Sequence, residues 1–399
     1  MLRRITAAYT INELGNSLGA VAIAVAVYDN THSAIATAAL FISIYFLPAL
    51  LATVVVAWLE SLARRGIQAA LYCAQAATTG GLAALVLHPV LAPILVLAGI
   101  DGLAALASRA LLRAVVSQEA ADDEARRRAN GRLNIAWAAT SALGPAIGGA
   151  LTGLLGASLV LVMDVASFVA TAILMLDVPT PVTSAAPGRV LAQLRTVPQY
   201  VARTPVLGWL LGTEALALVF FATAVPVEVV LVKATLHSTD AGYGAMLAAW
   251  GAGMFAGSGI FARARKRSLG LLVTLSTLAV AVADLGIGAS NAIWVACVFS
   301  FVGGTGNGVQ WIALITSVQE KTTKELQGRM MGVLESMAAF CLGVGFSLGG
   351  AVAALFNPRV TFLMAGAAAL VATCAFARWA VRDRLAISER MRAGPEPSG

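Results

Sequence analysis

Laid against itself at a shift of 201 residues, the chain matches without a gap at widely spaced positions. Glu13 falls on Glu214, Gly102 on Gly303, and Gln118-Glu119 on Gln319-Glu320. Glu124 falls on Glu325, Gly131 on Gly332, Gly144 on Gly345, and Gly148-Gly149 on Gly349-Gly350. A chain of this kind folds as two copies of one unit of roughly 200 residues, and internal repeats of apolar units are a mark of membrane transport folds. Each copy is apolar almost throughout. Only 12% of residues are charged and 59% are hydrophobic, against about 25% charged in a soluble domain. The solvent such a surface requires is lipid.

A span of the bilayer takes about 20 apolar residues. Twelve segments qualify: approximately 5–27, 34–59, 67–87, 91–116, 133–155, 158–177, 206–232, 241–262, 268–288, 292–318, 331–356 and 359–380. Six fall in each repeat. Numbering the loops alternately puts 23 Lys and Arg residues on one side and only Lys233 and Arg359 on the other; Arg109 and Arg113 lie inside the fourth segment. That bias places both termini in the cytoplasm. The expected organisation is an N-terminal bundle over 1–177, a cytoplasmic linker over 178–205, a C-terminal bundle over 206–382 and a tail over 383–399. The linker has room for a short surface helix over Val190–Ala202, and the charged tail after Arg382 reads as disordered. Met-Leu-Arg-Arg runs straight into the first span without a cleavage pattern, so that span is expected to stay in the mature chain.

Cys73, Cys297, Cys341 and Cys374 stand singly, and His32, His88 and His237 fall in short outer loops. Neither set has metal-ligand spacing. The glycine-rich stretch Gly303–Gly308 has no following Lys-Ser/Thr and no preceding strand, so it is not a phosphate loop. No cofactor, enzymatic activity or nucleic-acid partner is expected.

The fifth span reads Gly131, eight residues, Thr140, three residues, then Gly144-Pro145-Ala-Ile-Gly148-Gly149. Gln319–Arg329 precedes the eleventh span, Tyr28-Asp-Asn-Thr-His-Ser-Ala follows the first, and Tyr200-Val-Ala-Arg-Thr-Pro-Val-Leu leads into the seventh. These stretches resemble the major facilitator superfamily, in particular its enterobactin-exporter and macrolide-efflux branch. The resemblance implies an all-α fold of twelve helices in two six-helix pseudo-repeats. It also implies a loop between the second and third helices in which Glu60, Arg64 and Arg65 control conformation. Val56 stands where that loop has glycine, Phe261 where the second repeat has its acid, and Ala98 where the fourth helix has an arginine.

The resemblance further implies that helices one, four, seven and ten line a central cavity. Ionisable groups deep in an apolar span are expensive and rarely face lipid. The deepest here are Glu13, Asp101, Arg109 and Glu214, with Gln310 at the repeat position of Arg109. At about 1.5 Å per residue, Glu13 lies about 12 Å and Arg109 about 10 Å from the cytoplasmic ends of their helices. Glu13, Arg109 and Glu214 are expected to face one cavity with Asp101 nearer its middle. Asn12, Asn16, Asn307, Gln310 and Trp311 are candidates for holding a polar-aromatic solute. Asp164 and Asp284, on peripheral helices, read as structural; Glu228, behind Pro226, reads as lying near the outer mouth. Gly144, Pro145, Gly148 and Gly149 offer close packing and a hinge or seal.

The function expected from these features is secondary export of a small amphiphilic compound across a bacterial inner membrane by proton antiport, performed by a monomer. An uptake permease or uniporter of the same fold is the nearest alternative. A polytopic membrane enzyme and a membrane sensor are more distant ones.

Overall fold

The computed structural model describes residues 2–62, 66–119, 123–178, 200–201, 204–264, 267–322 and 324–393. Twelve long helices account for nearly all of them. They are α1 (Leu2–Thr31), α2 (34–62), α3 (Ile67–Leu85), α4 (Leu91–Glu119), α5 (Asp123–Leu155) and α6 (Ala157–Met175), then α7 (205–235), α8 (Asp240–Arg263), α9 (Leu269–Ala289), α10 (Ile293–Glu320), α11 (Lys324–Leu355) and α12 (Pro358–Ala393). Two are irregular. α2 passes through a π segment at Ile42–Phe46, and α7 through a 3₁₀ turn at Val225–Val227 and a π segment at Leu231–Thr235. Pro226 has no N–H to donate, which accounts for the break in α7.

Among the described residues, eleven helices are long and apolar enough to cross a membrane. α3 falls short because it carries Gln68, Gln75, Thr78 and Thr79. All four are buried against neighbouring helices, so the polarity that lowers its hydropathy never meets lipid. Several helices start on side-chain caps. Ser33, Thr239 and Ser268 accept from the backbone N–H of Ala36, Gly242 and Leu271, satisfying donors that a helix start leaves open.

Helix ends differ from the apolar pattern where charged residues are good helix formers. α5 begins ten residues before its apolar stretch, with Arg128 bonded to Glu124 one turn back at 2.8 Å. α12 continues to Ala393 through the stretch read as a disordered tail; Ala, Leu, Arg, Glu and Met there favour helix. The proposed surface helix over 190–202 falls almost wholly outside the described residues.

The tandem repeat is visible in the packing. A Cβ on Gly148 of α5 would stand 3.0 Å from Leu18 Cα of α1, and one on Gly349 of α11 would overlap the backbone of Thr223 in α7. Gly144 faces Ser17 of α1, and its counterpart Gly345 faces Val219 and Ala222 of α7. The next glycine of each pair turns to the other half. Gly149 meets Asp240 and Gly244 of α8, whereas Gly350 meets Ala34, Ile35 and Ala38 of α2. α5 against α8 and α11 against α2 are therefore equivalent seams joining the halves. Both lie at the end of the molecule away from the chain's N-terminus.

Candidate functional site

A cavity of about 480 Å³ lies between the halves. Glu13 and Asn16 reach it from α1, Asp101 and Arg109 from α4, and Trp137, Ser141 and Pro145 from α5. Phe41 and Tyr45 of α2 add aromatic wall. The second half contributes Val225 and Glu228 of α7 with Tyr243 and Leu247 of α8.

Each ionisable group is set by its helix neighbours. Asp101 Oδ1 accepts hydrogen bonds from Thr78 Oγ1 at 2.8 Å and Thr79 Oγ1 at 3.3 Å, both on α3. Arg109 Nε donates to Ala105 O at 3.3 Å, one turn earlier in α4. Asp164 enters from behind α1. Its two carboxylate oxygens lie where Cβ atoms on Gly15 and Gly19 would be, and Ser167 Oγ donates to Oδ1 at 3.0 Å. Two glycines four apart leave a window in α1 through which a side chain of α6 reaches the cavity. The residues Glu13, Asp101, Asp164 and Glu228 thus line one chamber with a single guanidinium among the described residues, that of Arg109.

Glu214 does not share it. With Asn307, Gln310 and Trp311 it lines a separate cavity of about 50 Å³ inside the second half, together with Thr277, Asp284 and Phe221. The single cavity expected for Glu13, Arg109 and Glu214 is therefore two. The repeat makes Glu13 and Glu214 equivalent in sequence, but α9, α10 and α12 close around the second of them. Asp284 and Asp164, read as structural, both line cavities; Glu228 lies in the chamber itself. Asn12 is buried and lines neither cavity.

The seam residues divide by neighbour. Gly144 and Gly148 fit α1 to α5 within the first half, and Gly149 alone of the three meets the second half. Pro145 cannot donate to Ser141 O, and that carbonyl faces Gly251 of α8, where a Cβ would overlap it. The oxygen freed by the proline thus sits against a bare Cα of the opposite half. Arg64, Arg65 and the side chain of Glu60 lie outside the described residues.

Sequence comparison assigns the ancestry. The profile of the transmembrane secretion effectors, a major facilitator group, matches residues 1–397. The chain belongs to this family. Its fold is that of solved transporters. The nucleoside transporter NupG superposes with a TM-score of 0.75 at 11% identity, over 95% of this chain and 98% of that one. A bacterial metal transporter gives 0.70 at 16% identity, over 95% and 98%. The human organic anion transporter MFSD10 gives 0.60 at 18% identity, over 94% and 99%. No curated protein matches the sequence. The chain is thus a multi-pass major facilitator transporter of a small molecule, and not an enzyme.

Proposed function

We propose that this transporter exports a small amphiphilic compound carrying a basic nitrogen, by alternating access coupled to inward movement of protons. The observation that carries the reading is the chamber lined by four carboxyl side chains, one guanidinium and the rings of Phe41, Tyr45, Trp137 and Tyr243. Aromatic faces and carboxylates together attract an organic cation that keeps an apolar body. Its volume lies within the roughly 300–1,000 Å³ typical of small-molecule sites. Glu13 and Asp101 are the proposed proton carriers for this chamber, with Arg109 biasing the charge of the carboxyls around it.

In this reading 1–177 and 206–382 rock as units about the chamber, joined by the 178–205 linker, in a monomer. The Lys and Arg bias supports termini on the cytoplasmic face, here of a bacterial inner membrane, and the stretches noted above support kinship with the enterobactin and macrolide exporters. The state described is then the one closed to the outside. Proteoliposomes loaded with a fluorescent lipophilic amine test this. Imposing a pH gradient should drive the amine against its concentration gradient in wild type and fail in Asp101→Asn. Equal rates with and without the gradient would leave a uniporter.

A further inference from the structure

We propose that the small cavity of the second half is a binding site for a hard inorganic cation, held by the carboxylates of Glu214 and Asp284 and by neutral oxygens from Thr277, Asn307 and Gln310. The case starts from the charge. Glu214 is 3% and Asp284 2% exposed, and they line one space of about 50 Å³ whose lining includes no Lys, Arg or His. Two carboxylates so far from water are costly without a compensating positive charge.

The first half shows how the same position is balanced there. Gln310 occupies the repeat position of Arg109, and Asp284 that of Ala83. Where the first half places a guanidinium in the cavity reached by Glu13, the second half has a neutral amide and one more acid. The compensating positive charge is therefore supplied from outside the chain, by a bound ion or by a proton on a carboxyl, and the donor geometry favours the ion.

The donor atoms suit a metal ion. Gln310 Nε2 donates to Glu214 Oε2 at 3.0 Å, which positions that carboxylate and leaves Gln310 a carbonyl oxygen. Thr277 Oγ1 donates to Val273 O at 2.8 Å, so its lone pairs remain for a ligand. Asp284 Oδ2 is buried and takes no hydrogen bond among the described residues. Gly306 lets α10 approach α9 closely; a Cβ there would stand 2.6 Å from Ser276 O. That approach brings Asn307 and Gln310 opposite Thr277 and Asp284. All-oxygen sets of this type select sodium, calcium or magnesium over softer metals. A space of about 50 Å³ is small against the roughly 300–1,000 Å³ of small-molecule sites, which suits an ion better than an organic cargo.

Trp311 lines the same cavity and supplies the readout. Purified protein in nanodiscs, held in choline chloride at constant ionic strength and pH, is titrated separately with sodium, calcium and magnesium chloride. One of these should change tryptophan emission saturably and raise the thermal unfolding midpoint. The emission change should vanish in Trp311→Phe while the thermal shift persists. In Asp284→Asn and in Glu214→Gln, each checked as monodisperse, affinity should fall at least tenfold by the thermal readout. No response to any of the three ions, a response to pH alone, or wild-type affinity in either variant would overturn the site. The titration uses no substrate, so its outcome is independent of the export reading; cation binding without gradient-driven efflux would sink the latter alone.

Discussion

Lys233 Nζ lies 2.7 Å from Asp29 Oδ2, joining the end of α7 to the end of α1 across the two halves. The same ammonium lies 2.6 Å from Asp240 Oδ1 at the start of α8. One cation therefore holds two carboxylates at the end where the glycine seams close. The lysine side chain is only 18% exposed and that of Asp29 44%, so the pair is partly screened. Its loss is worth about 1 kcal/mol, roughly a fivefold change in population. Lys233→Met should shift the protein toward the state open at this end. A cysteine at Tyr243 should then react several-fold faster with a membrane-impermeant thiol reagent; an unchanged rate would remove the latch role.

Gly149→Ala should abolish transport without unfolding the first half. The added Cβ would stand 2.6 Å from Asp240 O and 2.7 Å from Gly244 Cα, both backbone that cannot rotate aside. Overpacking of this kind costs about 1–3 kcal/mol, and only in the closed seam. Gly153→Ala, one turn on, meets nothing nearer than 3.8 Å and should transport normally. Initial rates in proteoliposomes, with melting curves for both proteins, decide this.

Gly19→Ala should weaken recognition of cationic cargo by displacing Asp164, whose Oδ2 would overlap the new methyl. A tenfold loss of affinity for a lipophilic amine is expected, with smaller loss for a neutral analogue. Equal losses for both would mean that Asp164 only packs α6 against α1.

Thr78→Val should lower thermal stability. It removes the 2.8 Å donor to the Asp101 carboxylate, and hydrogen bonds to charged groups contribute about 1.5–3 kcal/mol. Thr79→Val, with the longer 3.3 Å contact, should cost less. Differential scanning fluorimetry in one detergent ranks the two.

The repeated glycines were legible as close-packing positions, though not which helix each one meets. Gly148 and Gly349 match in sequence and pack alike, because close helix approach depends on a missing side chain that sequence displays directly. Asp164 was not legible. Its access depends on Gly15 and Gly19 of another helix lying in front of it, and the pairing of α1 with α6 is a tertiary fact. The i, i+4 glycine spacing on α1 was the available signal. The separation of Glu214 from Glu13 was hidden for the opposite reason. Sequence symmetry shows that two positions descend from one, and says nothing about whether they open into the same space. Lys233 counted as one of two basic residues in the outer loops, while its partners Asp29 and Asp240 come together only when the halves meet.

At its closest points the α5–α8 seam sets Gly149, Gly244 and Gly251 against main chain. Glycine and alanine have no rotamers to freeze, whereas ordering a long side chain costs up to about 2 kcal/mol. Zipping the α5–α8 seam shut therefore loses little conformational entropy beyond that of the rigid helices themselves. At this seam the open and closed forms should differ mainly in enthalpy and solvation. A cycle that must reset thousands of times without getting stuck gains from this, since neither form becomes an entropic trap as the membrane warms or cools.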